Sequence, residues 1–308
     1  MRLQTFVDAV LYLAVRVVIA VVQALPLAAC ERVAHHASYL LYDVVRLRRQ
    51  VIDENLRHAY PRLSEPARRR IARGMWRHLL LMVAEIAHIP RKLHRTTWQN
   101  YLSFPDMERM VRMLLQERPH VAISAHFGNF ELASYVMGLF GFPSHAIARP
   151  LDNRFLDRFV NEFRGRTGQR LLPKDGSGDE IARVLRNNGT IGLLGDQYAG
   201  RKGCWVRFFH RPASTHKSVA VLSLGTGAPM LVSYARRLGR PLQYELGLEG
   251  VADPAAEGFA LSTVPLMAQW YTDCLERIVN RAPEQYWWLH RRWKGTPPEA
   301  VLRRMTAA

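Results

Sequence analysis

Apolar positions along the chain change rhythm twice, and each change predicts a different kind of structure. From Phe6 to Cys30 they run almost unbroken, close to the ~20 residues of a bilayer-spanning helix. Asp8, Arg16 and Gln23 interrupt the run seven or eight residues apart, which sets them on one narrow helical face. A charge at the centre of a spanning helix costs roughly 2.5–3.5 kcal/mol on insertion scales. The stretch therefore predicts a helix that lies on or dips into a membrane with its polar stripe turned to the protein. Spanning and burial in a core stay open as alternatives. With its apolar run interrupted and no small-x-small cleavage site, it does not read as a signal peptide.

Residues 31–61 are amphipathic and Arg-bearing, closing at Tyr60-Pro61. A second helix is predicted from Ser64, a good N-cap with Pro66 in the first turn, to Pro90. Ile71, Met75, Leu79, Met82 and Ile86 form its apolar stripe. Arg69, Arg70, Arg73 and Arg77 fall mostly off that stripe, a basic face that suits anionic lipid and water equally.

From about residue 119 short apolar runs alternate with helical stretches. His120–Ala125, Ser144–Arg149, Leu171–Leu172, Thr190–Leu194, Pro229–Tyr234 and Leu242–Leu248 read as strands. Helices are predicted over Leu132–Phe140, from Asp152 as N-cap to Thr167, over Asp179–Asn188, after Ser214/Thr215, and over 262–281. This alternation predicts an α/β fold, a sheet covered by helices on both faces. The economical division is an N-terminal membrane-associated helical region, 1–60, and a catalytic domain, 61–308.

Composition narrows the partners. The 308 residues are 48% hydrophobic and 22% charged, which excludes wholesale disorder. Three cysteines with no Cys-x-x-Cys pair exclude a disulfide framework and a Cys-rich zinc site, and suit a reducing cytosolic face. Lys and Arg number 43 against 26 Asp and Glu, a net charge of +17, and only five of the 43 are Lys. So basic a surface attracts nucleic acid, anionic lipid or an acidic protein.

In open α/β sheets, sites form where strands end and helices begin. The first strand delivers His126-Phe-Gly-Asn-Phe-Glu131 to such a place. In a turn loosened by Gly128, His126 can act as general base while the Glu131 carboxylate fixes its tautomer. Two more strand ends carry Arg149-Pro150 and Gly195-Asp196-Gln197. Arg149 offers a planar fork for a phosphate, and Asp196 can orient that Arg or hold a hydroxyl. The chain has no Gly-x-Ser-x-Gly elbow, no His-Glu-x-x-His spacing for a metal and no phosphate-binding loop.

Taken together, Ser124-Ala-His126-Phe-Gly-Asn129-Phe-Glu131, Arg149-Pro150 with Asn153, Gly195-Asp196-Gln197, and Phe208-Phe209 with Pro212-Ala213 resemble the late acyltransferases of lipid A biosynthesis and related glycolipid and lysophospholipid acyltransferases. The resemblance extends from the N-terminal helix through Asn55–Pro61 to Pro283–Trp293. It implies a glycerolipid-acyltransferase-like sheet, His126 as base with Glu131 as its partner, and substrate binding by Arg149, Asp196, Asn129 and Gln197. Pro229 matches a further block and is implied to be structural. It also implies an acyl carrier protein or coenzyme A thioester as donor, a lipid or glycolipid hydroxyl as acceptor, no cofactor or metal, and residence at the cytoplasmic face of the inner membrane. His210-Arg211 departs from the family pattern, where glycine commonly follows the paired phenylalanines. The Trp287, Trp288 and Trp293 cluster with Arg291, Arg292 and Lys294 suits either a membrane interface or a packed C-terminal helix. The competing reading is a non-enzymatic basic protein binding membrane or nucleic acid, although no nucleic-acid fold motif is present.

Overall fold

The computed structural model describes residues 2–173, 176–299 and 301–303. Its first half is helical: α1 (Arg2–Ala24), α2 (Leu27–Tyr39), a π-turn at Leu40–Val44, α3 (Arg49–Ala59) and α4 (Glu65–Lys92). The long apolar run is therefore two helices. Pro26 stands extended between them (φ −60°, ψ 144°), because proline disfavours helical geometry in the residue before it. By length and composition, Gln4–Ala24 is long and apolar enough to cross a membrane. Of its polar stripe, Gln23 turns to α4, Nε2 donating to Ala87 O at 2.7 Å, while the Asp8 carboxylate meets Gln4 at an exposed contact; the Asp8 backbone carbonyl accepts from Asn153 Nδ2 at 3.0 Å.

Helix α4 joins the two halves. Ala72, Met75, Trp76, Leu79 and Met82 enter the main core, while Leu81 and Ala84 pack on Cys30 and Ala34 of α2. Pro90 does not end it, since a missing N–H in the last turn removes one hydrogen bond only; Leu93 N still donates to Ile89 O at 2.9 Å. The basic face of α4 turns to neither lipid nor water alone. Arg69 and Arg73 each reach Asp43 at 2.7 Å, and Arg77 pairs with Glu31.

The second half holds β1 (Leu102–Ser103), α5 (Met107–Leu114), β2 (His120–Ser124), α6 (Phe130–Leu139), β3 (Ser144–Ala148), α7 (Arg154–Gly165), β4 (Arg170–Pro173), α8 (Gly178–Arg186) and β5 (Thr190–Leu194). After these come β6 (Cys204–Phe208), β7 (Arg211–Thr215), α9 (Ser218–Thr226), β8 (Met230–Arg237), β9 (Tyr244–Ala252) and α10 (Val264–Arg281). Seven strands form one sheet in the order β1-β9-β8-β2-β5-β3-β4, parallel except between β8 and β9. The expected α/β architecture is observed.

The helix expected after Ser214/Thr215 is α9, closed by Gly227, while Ser214 and Thr215 themselves end β7, which pairs with β6 in a separate hairpin. Two local details change. Asn153, not Asp152, caps α7, its Oδ1 accepting from Phe155 and Leu156 N–H at 3.0 and 3.1 Å. Of the two readings of the tryptophan segment after α10, packing agrees with the structure, though the segment is made of turns rather than a helix. Trp288 and Arg292 are buried, Arg292 donating to Ser214 O at 2.5 Å.

Candidate active site

Register brings the site together. Ser124 of β2 pairs with Leu194 of β5, so the parallel neighbours end level, and Gly195 N donates to Ser124 O at 2.9 Å. One or two residues further on, the chain places His126 and Asp196 side by side. The His126 backbone N–H donates to Asp196 Oδ2 at 3.0 Å, and His126 Nδ1 lies 2.8 Å from Oδ1. An ionised carboxylate only accepts, so Nδ1 carries the proton and Nε2 presents its lone pair as an acceptor. Gln197 Nε2 stands 3.3 Å from that nitrogen.

The turn between His126 and α6 is pinned from three sides. Gly128 has φ +56°, and a Cβ there would sit 1.8 Å from Ala235 O, so only glycine fits. Its N–H donates to Gln285 O at 3.0 Å, and its carbonyl accepts from buried His78 Nε2 at 3.0 Å. Arg237 donates to His78 Nδ1 at 2.6 Å and holds buried Glu85 through bonds of 3.0 and 2.5 Å. Trp287 N donates to His126 O at 3.0 Å, and its ring lies 5.0 Å from the imidazole, with Phe130 at 5.3 Å on another side.

Two opposed effects set the protonation of His126. Burial pushes its pKa down; the Asp196 charge and hydrogen bond push it up and prevail, so the imidazole is a stronger base than a free histidine. Asp196 is 3% exposed. Burial raises its pKa, but the neighbouring imidazole and the His126 N–H hold it below the ordinary carboxylate range.

The other expected residues separate. Glu131 makes no hydrogen bond to His126; its carboxylate takes a two-point contact from Arg164, Nε to Oε2 being 2.9 Å. Distance along a single turn suggested Glu131 as the partner of His126, but strand register supplies Asp196 from 70 residues away. Arg149 follows β3 at the same sheet edge, yet it points to solvent and pairs with Asp152 at 2.9 Å. Asp196 therefore does not orient it. Asn129 is fully buried and caps α6, its Oδ1 accepting from Leu132 N at 3.0 Å. Gln197 does reach the site.

Sequence reasoning missed Trp287 and His290 as neighbours of the site. His290 Nε2 accepts from Tyr198 N at 2.9 Å, just beyond Gln197. The one available signal was their shared Trp-Trp-Leu-His run. Beneath α6 lies a mostly apolar cavity of about 170 Å³, lined by Ala122, Ser124, Phe130, Met137, Leu193 and Leu231 among others.

Comparison with known proteins places the chain's sequence in a family. The profile of the bacterial lipid A biosynthesis acyltransferases covers residues 2–295. The chain belongs to that family. It is 25% identical over 262 residues to a lipid A biosynthesis palmitoleoyltransferase of Escherichia coli K12, spanning 82% of this chain and 81% of that one. To the lipid A biosynthesis lauroyltransferase of the same organism it is 26% identical over 264 residues, 83% and 82% of the two chains. Among solved structures it is similar to a 1-acyl-sn-glycerophosphate acyltransferase from Thermotoga maritima, with 13% identity, a TM-score of 0.43, and coverage of 85% of this chain and 99% of that one. The protein is thus an acyltransferase of the lipid A type.

Proposed function

We propose that this acyltransferase moves a fatty acyl group from a thioester, carried by acyl carrier protein or coenzyme A, to a hydroxyl of a lipid A-type glycolipid or lysolipid. The observation that carries the reading is the His126–Asp196 pair, which leaves Nε2 as a basic nitrogen at the end of β2. Nε2 takes the acceptor hydroxyl proton as the oxygen attacks the thioester carbonyl. The tetrahedral oxyanion needs donors, and Phe130 and Glu131, first in α6, have N–H groups without intrahelical partners. Collapse breaks the C–S bond, and the imidazolium returns its proton to the departing thiolate. Atoms and charge balance without a cofactor. The cavity beneath α6 accepts part of the acyl chain.

Residues 1–60 act in this reading as the membrane-associated region and 61–308 as the catalytic part, at the cytoplasmic face of the inner membrane. Support comes from α1, whose Val17, Val18 and Val21 stay exposed. His126→Ala should lower turnover by about 10²–10⁴-fold, the usual worth of a positioned base. Lipid mass spectrometry of cells with and without the active gene should differ by one acyl chain on one lipid class. Turnover within a few-fold of wild type in folded His126→Ala, or identical lipid profiles, would remove this mechanism.

A further inference from the structure

The polar stripe of α1 serves no step of the acyl transfer, yet the fold aims it into a cleft. Helices α1, α4 and α7 enclose about 500 Å³, a volume typical of small-molecule sites. Phe159 and Val83 contribute to its apolar walls, and Val83 is 61% exposed. Arg16, Arg91 and Arg166 line it from α1, α4 and the turn after α7. Arg16 lies 5.2 Å over the Phe159 ring and donates to Tyr12 Oη at 2.8 Å, while Arg91 reaches only Gln23 O at 3.4 Å. Among the described residues, none of these three guanidinium groups is paired with a carboxylate. Two carboxylates do line the cleft, and both are occupied. Glu131 is held by Arg164, and Glu162 by Arg158 at 2.9 Å.

Apolar walls with a rim of uncompensated guanidinium groups match an amphiphile with an anionic head. The cleft adjoins the exposed apolar face of α1, so that amphiphile arrives from a membrane rather than from water. We infer that this cleft binds a membrane lipid with an anionic phosphate head group, its phosphate gripped by Arg16, Arg91 and Arg166 and its chains laid on Phe159 and Val83. Glu131 lines both this cleft and the cavity beneath α6, and Phe130 beside it stands 5.3 Å from the His126 ring. The cleft is thus linked through Glu131 and Phe130 to the base, on the side from which an acceptor would approach. Naming it the acceptor rests on the acyl-transfer reading; the binding itself does not.

The test uses the full-length protein in neutral detergent, with dihexanoyl phosphatidic acid and dihexanoyl phosphatidylcholine as probes and native mass spectrometry as the readout. Phosphatidic acid should bind one per chain and at least about tenfold more tightly than its zwitterionic analogue. Near an anionic lipid each basic side chain contributes roughly fivefold, so Arg16→Gln, Arg91→Gln and Arg166→Gln combined should weaken phosphatidic acid binding by about a hundredfold. Val83→Trp, on an exposed position, should block both lipids without changing charge. Circular dichroism checks that each variant is folded. Equal affinity for the two lipids, a charge preference that survives in the triple variant, or full competition by equimolar inorganic phosphate would overturn the inference. Retained phosphatidic acid binding together with wild-type turnover in folded His126→Ala would instead overturn the acyl-transfer reading and leave the cleft standing.

Discussion

Both oxygens of Asp196 accept from His126, and that fixes where the proton of the imidazole resides. Asp196→Asn keeps the volume but removes the charge and offers an amide that can donate to the imidazole, favouring the wrong tautomer. Turnover should fall by about 10²–10⁴-fold. The pH profile gives a sharper readout. Activity needs neutral His126, whose pKa is raised, so the acid limb of kcat/KM lies above the ordinary histidine value. Without Asp196 burial is opposed only by the smaller pull of the Glu131 charge, and the limb should move to lower pH. An unmoved limb would mean that the carboxylate does not govern the base. Stability carries the same signs. The contribution from His126 is fully present below the unfolded pKa and is lost as pH rises through the raised folded value. That from Asp196 is present above its unfolded pKa and is lost as pH falls through the lowered one.

Glu131 invites a contrasting experiment at the same scale. It and Arg164 are 16% and 20% exposed, so Glu131→Gln leaves a mostly buried guanidinium with a neutral partner. A stability loss on the order of 1–3 kcal/mol is expected, with a smaller turnover defect than Asp196→Asn gives. Denaturant titration and kinetics of both variants decide the matter. A turnover loss equal to that of Asp196→Asn at unchanged stability would place Glu131 in the chemistry directly.

At the scale of elements, the β6–β7 hairpin is the least orthodox piece. Phe208 pairs with Arg211, so Phe209 and His210 form a two-residue loop, and both have positive φ (48° and 60°). Such a loop ordinarily takes Asn-Gly or Gly-Gly. Phe209 is buried against Tyr60, Trp288 and Trp293, which favours the strained geometry. His210 is exposed and has no such compensation. A left-handed residue costs roughly 1–2 kcal/mol, and glycine returns about half of that through the unfolded chain. His210→Gly should therefore stabilise the protein by up to about 1 kcal/mol, visible as a higher denaturant midpoint; a lower midpoint would show that His210 makes an offsetting contact.

That hairpin also shows what the sequence concealed. Strands β2 and β5 were legible because a strand buried on both faces reads as a continuous apolar run. Cys204–Phe208 and Arg211–Thr215 carry no such run, and the turn lacks its glycine. The same limit applies to the site. His126 and Asp196 were legible as strand-end residues, but their contact depends on the Ser124–Leu194 register, which no local spacing encodes. Arg149 occupies the expected strand end, while its side-chain direction follows from Asp152, three residues on.

At the scale of the whole molecule, the net charge of +17 is distributed unevenly between internal pairs and open rims. Arg69, Arg73 and Arg77 of α4 are paired with Asp43 and Glu31, so this part of its basic face serves to join the helices. Other cations remain outward, as where Arg46, Arg48, Arg49 and Arg291 share a cleft with Asp53 as its one carboxylate. Membrane affinity should thus have two separable parts, an apolar one from α1 and an electrostatic one from the remaining surface. Helix α1 contributes no residue to the two main core clusters and is tied on mainly through Gln23, Asp8 O, and Val22 O, which accepts from His88 at 3.0 Å. Removing residues 1–25 should leave a folded protein by circular dichroism. In vesicle sedimentation the full chain should bind neutral phosphatidylcholine, and more strongly once anionic lipid is added. The added strength should fade as salt rises, because the Debye length is about 10 Å at 0.1 M and shrinks further with salt. The truncated chain should lose binding to neutral vesicles and keep only a weak, salt-sensitive affinity for anionic ones. Undiminished binding of the truncated chain to neutral vesicles would show that α1 is not the apolar anchor, and the membrane would then have to meet another face of the protein.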